Sequence, residues 1–144
     1  MKVFLDTNVL ASAFGTRGLC ADIYREVILT HELICSPNVL NELREVLTKK
    51  FRLPDSETSE IIQMLESTAF VEDSTTQHEI EISDRDDREI LSSAIEGDVE
   101  VFITGDKEVQ ELAKIGEMTI LTPREFWEHQ KGTNGEQGAP ENAD

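Results

Sequence analysis

Apolar residues fall along the chain in short clusters separated by amphipathic stretches. Val3 to Leu5, Leu33 to Cys35, Ala69 to Val71, Val99 to Thr104 and Met118 to Leu121 have the length of buried strands. A loop holding Gly15 and Gly18 follows the first strand, and Leu19 to Leu29 reads as a helix. After the second strand, Ser36 caps a helix with Pro37 at its first position. Val39, Leu40, Leu43, Val46 and Leu47 form the apolar face of that helix. Ser56 opens another helix through Ile61, Ile62 and Leu65. Ser83 or Asp84 opens one with Ile90, Leu91, Ala94 and Ile95, ended near Gly97. Val109 to Ile115 reads as helical up to Gly116, and Pro123 starts a terminal helix with Phe126 and Trp127.

Strands alternating with helices predict an α/β fold, with a mainly parallel five-stranded sheet flanked by helices on both faces. From Lys131 the chain reads KGTNGEQGAPENAD, without one large apolar residue. Residues 131–144 are therefore expected to be a disordered tail, and residues 1–130 a single domain. No apolar run approaches the ~20 residues of a membrane span. Met1 leads straight into the first apolar run, without a basic region or cleavage site. Cys20 and Cys35 match no metal spacing and no disulfide framework. A cytoplasmic protein with two buried thiols is the expectation.

The carboxylates change the picture. In an open α/β sheet, chemistry collects beyond the carboxyl ends of the strands. Asp6 follows the first strand and Asp106 the fourth, so both belong to that edge. Asp106 also suits an N-cap for the helix behind it, whereas no helix is expected directly after Asp6. Asp87 lies three, four, seven and eight residues before Ile90, Leu91, Ala94 and Ile95. At ~100° per residue it projects from the middle of that apolar stripe. Asp84 and Asp86 read as ordinary first-turn acids. Glu42 flanks the stripe of its own helix, between Val39 and Val46, and by itself also fits a boundary glutamate. His31, His78 and His129 fall on loop or surface segments, with no evident acid–base or ligand role.

The succession FLDTNVL, a helical NEL, DDREILSSA and FITGD resembles the PIN domain family of ribonucleases. In detail it is similar to the branch described as toxin components of toxin–antitoxin systems. The likeness spans about residues 1–127, and the order and spacing of its short motifs carry it. It implies a parallel sheet with a metal site built from Asp6, Glu42, Asp87 and Asp106. Thr7, Asn8 and Thr104 match the family's supporting polar positions.

Four carboxylates in one crevice cannot all stay ionised without counter-charge. Oxygen ligands without His or Cys select Mg²⁺ or Mn²⁺, as one or two ions. The resulting expectation is a metal-dependent endoribonuclease, with Asp6 as central ligand, Asp87 and Asp106 flanking it, and Glu42 as ligand or water-orienting base. Asn8 and Thr104 would fix carboxylate rotamers. An RNA-processing nuclease outside a toxin–antitoxin pair, or a metal-binding regulatory module without turnover, are the alternatives.

Charge constrains this reading. With 30 acidic and 13 basic side chains the formal net charge is −17, opposite to that of most nucleic-acid binders. Bound metal and a small basic set must together attract RNA. The best candidate is the run KKFR (Lys49, Lys50, Phe51 and Arg52), with Arg17 and Lys107 nearer the crevice. A basic antitoxin segment would also suit this surface, and exposed apolar residues on the early helices would allow a homodimer. Two other strand-end acid chemistries fit poorly. A phosphotransfer receiver needs adjacent acids beside strand one, and a haloacid-dehalogenase-type phosphatase needs Asp where Asn8 stands.

Overall fold

In the computed structural model of the chain, β1 (Lys2–Leu5) runs through the middle of the sheet, with Val3, Phe4 and Leu5 wholly buried. A continuous apolar run is what a parallel strand covered on both faces requires. The structure describes residues 1–73 and 75–142, without the side chains of 133–142. β1 pairs in parallel with β2 (Glu32–Cys35) on one side and with β4 (Val101–Ile103) on the other. β3 (Phe70–Val71) pairs with the outer side of β2, and β6 (Met118–Leu121) with that of β4, both in parallel. β5 (Lys114–Ile115) closes the far edge antiparallel to β6, giving the order β3-β2-β1-β4-β6-β5. Phe4 and Phe102 stack across neighbouring strands with ring centroids 5.0 Å apart.

The helices are α1 (Thr7–Gly15), α2 (Leu19–Thr30), α3 (Pro37–Lys49), α4 (Asp55–Thr68), α5 (Arg85–Glu96), α6 (Lys107–Gln110) and α7 (Pro123–Asn142). The first four carry the chain stepwise from β1 to β3, and α5 brings it back across the sheet to β4. Right-handed crossovers in opposite directions place these helices on opposite faces. The reversal lies between β1 and β4, where the loops leaving their carboxyl ends diverge. That is where an open α/β sheet forms its crevice.

The expected five strands are all present, and two local expectations are corrected. The stretch after β1 is helix α1, not a loop, and Asp6 is its N-cap. Val9, Leu10 and Ala11 are buried in the core, so tertiary packing pulls this short segment into a helix. The second correction concerns Val109 to Ile115. The helix there ends at Gln110, and Ala113 takes a left-handed φ of 61°. Lys114 and Ile115 then pair with β6 in a hairpin whose turn contains Gly116 at φ 58°. Gly116 is a hairpin residue, not a helix stop.

The tail expected at 131–144 lies, from residue 133 on, on side chains outside the described set. Before it, Lys131 stands over the Trp127 ring with 5.9 Å between Nζ and the centroid. An exposed contact of this kind is worth ~0.5–1 kcal/mol. Removing residues 131–144 is therefore expected to change stability by less than ~1 kcal/mol, which a thermal melt of the truncated chain would check. A larger loss would mean that the segment docks on the domain.

Candidate functional site

Asp6 is only 6% exposed, at the junction of β1 and α1. Its backbone N–H donates to the Ile103 carbonyl at 3.0 Å, fastening the end of β1 to the end of β4. Its Oδ1 accepts from the Thr7 N–H at 2.8 Å, the capping bond of α1. Oδ2 accepts from the Thr104 hydroxyl at 2.7 Å and, more loosely, from Asn8 Nδ2 at 3.5 Å. The carboxylate is thus held in one rotamer by groups from both central strand ends. Thr104, fully buried, also accepts from the Asp106 N–H at 3.0 Å. Thr104 thus links the Asp6 carboxylate to the backbone of Asp106. Asn8 acts mainly elsewhere, since its Oδ1 accepts from the Gly105 N–H at 2.9 Å and ties α1 to the loop after β4.

The other three acids arrive on three different elements. Glu42 is half-buried on α3, and its Oε1 accepts from the Thr7 hydroxyl at 2.7 Å. Asp87 is half-buried in the first turn of α5, while Asp86 is exposed. Asp84 is the N-cap there, accepting from the Asp87 N–H at 3.0 Å. Asp106 caps α6 through Oδ1, which accepts from the Glu108 N–H at 2.9 Å. Asp6, Glu42, Asp87 and Asp106 line one cavity of about 310 Å³ at the carboxyl edge of the sheet. A larger cavity, about 560 Å³, lies at the amino end of β4, away from these groups. Volume alone does not locate the convergent polar side chains.

The electrostatics follow from the crowding. Burial is the main cause that pushes the Asp6 pKa above its ordinary value, and Asp106 adds to it; the Thr104, Thr7 and Asn8 hydrogen bonds oppose it. Burial likewise raises Glu42, against the Thr7 hydrogen bond and with help from Asp6, Asp86 and Asp84. Asp87 is pushed up to about 7 by burial first, then by the negative charges of Asp84, Asp6, Asp106 and Glu42. The cavity therefore favours protons or cations.

Of the basic candidates, Lys50 alone lines the cavity. Lys49 points outward and pairs with Glu45 at 3.7 Å, while Arg17, Arg52 and Lys107 are exposed beyond the cavity walls. Ala11 and Ser12 on α1 also line the cavity without having been singled out in the sequence, as does Phe51 of the KKFR run. The Phe51 ring lies over Gly15, where an added Cβ would come within 2.5 Å of a ring carbon. Gly15→Ala is expected to displace that ring and cost ~1 kcal/mol despite the better helix propensity of alanine, readable by thermal melts and by the fluorescence of a Phe51→Trp reporter. An unchanged melt would show that the ring moves freely.

Carboxylates without His or Cys on the cavity wall form a hard-oxygen donor set, the kind that suits Mg²⁺ or Mn²⁺. Among the described residues, no three His, Cys, Asp or Glu side chains are arranged to hold an ion as they stand.

Comparison with known proteins agrees with the architecture. No curated protein sequence matches the chain. Among solved structures it is similar to VapBC2 from Rickettsia felis, solved bound to a DNA fragment from their promoter. The TM-score is 0.61 at 14% identity, covering 85% of this chain and 98% of that one. It is also similar to VapBC-1 from nontypeable Haemophilus influenzae, with a TM-score of 0.58 at 17% identity, covering 86% and 99%. The family model described as PIN domain matches residues 2–108, which contain all four acids. This chain belongs to the PIN domain family.

Proposed function

We propose that the protein is a divalent-metal-dependent endoribonuclease and the toxin component of a toxin–antitoxin pair. The observation that carries the nuclease reading is the convergence of Asp6, Glu42, Asp87 and Asp106 on one cavity at the switch point of a PIN fold. PIN domains are typically nucleases. The likeness to the two VapBC structures supports the toxin assignment.

Asp6, Asp87 and Asp106 would hold one or two ions of Mg²⁺ or Mn²⁺, with Glu42 as a further ligand. Bound there, a divalent ion supplies charge neutralisation at the phosphate and a more acidic water. The chain contributes orientation. Thr104 and the Thr7 N–H fix both oxygens of Asp6, and Thr7 Oγ1 fixes one oxygen of Glu42, leaving the other for a ligand or water. Lys50 places the one cation on the cavity wall where an incoming phosphate meets the site. RNA binding should weaken steeply as salt or a chelator is added.

An antitoxin offering a basic segment would complement this acidic chain, whose net charge is −17. Leu29 on α2, 73% exposed, supports a homodimer contact through the early helices. No helix among the described residues is long and apolar enough to cross a membrane. The deciding experiment incubates the purified protein with structured and single-stranded RNA in Mg²⁺, Mn²⁺ or EDTA. Cleavage that survives EDTA would overturn the metal-dependent reading. Absence of cleavage in every metal would favour a binding module without turnover.

A further inference from the structure

The carboxylate cavity does not end at Asp106. A second hollow of about 390 Å³ adjoins it and shares three of its walls, Asn8, Ser12 and Asp106. Its own walls are Val9, Cys20, Gly105 and Pro123. The two lobes form one crevice along the carboxyl edge, from the end of α3 past Asp6 and Asp106 to the start of α7. Each lobe has the size of a small-ligand pocket, ~300–1,000 Å³.

Their chemistry differs. The first lobe has Lys50 and the Phe51 ring beside the acids. The second contains no lysine or arginine, and its one charged group is Asp106 on the shared wall. A phosphate there would meet a carboxylate and no cation. A neutral nucleobase would meet the half-buried Pro123 and Cys20 over a floor formed by the buried Val9, while Ser12, Asn8 and Asp106 offer hydrogen-bonding groups for its polar edge. Aromatic Phe51 in the first lobe suits a stacked base.

We propose that the crevice seats an unpaired nucleobase on each side of the scissile phosphate, one against Phe51 and the other in the lobe of Val9, Ser12, Cys20 and Pro123. This rests on the nuclease reading and deepens it. The substrate is a single strand entered from both sides, so a terminal linkage lacking one flanking base is cut slowly.

The test uses the full-length protein and a synthetic single-stranded RNA with one cleavage site. Abasic residues are placed in turn at positions flanking that site. Removing either adjacent base should lower kcat/KM about tenfold or more, whereas abasic residues farther away should have little effect. Cys20→Trp fills the second lobe. It should lower kcat/KM about tenfold on intact RNA, yet cleave as well as wild type the RNA that is abasic on the Cys20 side. Fluorescence anisotropy with a methylphosphonate at the scissile linkage reads the same pattern in affinity, without turnover. If Cys20→Trp does not fold, the abasic series on wild type decides alone. Sensitivity on the Phe51 side only, or equal impairment of every RNA by Cys20→Trp, overturns the second base site, and sensitivity on the Cys20 side only overturns the site at Phe51; each leaves the nuclease reading intact. Absence of cleavage with binding that still depends on both bases would do the reverse.

Discussion

Asp6→Asn is expected to lower metal-dependent RNA cleavage by at least ~100-fold. A carboxylate that holds a catalytic metal supports several kcal/mol of charge stabilisation, and each 1.36 kcal/mol is a factor of ten in rate. The substitution is nearly isosteric, and asparagine caps helices about as well as aspartate, so the Thr7 N–H keeps an acceptor. The amide cannot also accept from Thr104 on its nitrogen side, which costs ~1 kcal/mol or more. Relief of the repulsion with Asp106 works in the opposite direction. The fold should survive, and circular dichroism with a thermal melt would verify it. The measurement is cleavage of the same RNA by wild type and variant at equal metal concentration. Equal rates would mean that the activity belongs to another site or to a contaminant. Asp106→Asn, whose Oδ1 caps α6 while the residue lines the same cavity, should behave similarly.

Asp6 also shows which parts of the site are legible in a sequence and which are not. Its place at the sheet edge follows from a strand of apolar residues ending in an acid. The inward direction of Asp87 and the flanking position of Glu42 follow from helical phase alone. All three line the cavity as that geometry requires. The second task of Asp6, capping α1, is hidden because Val9, Leu10, Ala13 and Phe14 keep helical spacing over only 9 residues, beside Gly15 and Gly18. Packing of Val9, Leu10 and Ala11 against the core makes that helix, and packing is not local information. β5 is hidden for a related reason. Two residues, Lys114 and Ile115, become a strand only because Met118 and Thr119 lie in register beside them. The basic run shows the same limit. Lys49, Lys50, Phe51 and Arg52 are adjacent in sequence, yet the end of α3 turns Lys50 and Phe51 toward the cavity and leaves Lys49 outside. Phe51 takes its place because Gly15, on another helix, has no side chain to exclude it.

The second large effect concerns stability and needs no substrate. In the metal-free protein, Asp87 is pushed up to about 7, from an ordinary value of 3.8. A folded pKa above the unfolded one gives a contribution fully present below about 4 and lost as pH rises through about 7. At pH 8 the folded state therefore keeps Asp87 ionised in a partly buried place, and against Asp84, Asp6, Asp106 and Glu42, at a cost the unfolded chain does not have. Asp87 is only half-buried, so solvent screening reduces that cost to ~1–2 kcal/mol. Asp87→Asn should stabilise the metal-free protein by about this amount at pH 8, with the gain shrinking toward pH 5. Mg²⁺ or Mn²⁺ should stabilise wild type, by ~2.7 kcal/mol at a hundred times its dissociation constant. The variant, with one ligand fewer, should lose most of that response. Thermal melts of both proteins at pH 5 and pH 8, in chelator and in excess metal, give the comparison. If Asp87→Asn instead destabilises at pH 8 and leaves the metal response unchanged, Asp87 is a structural acid in the first turn of α5. A metal site made of the four carboxylates would then be wrong, whatever the fold.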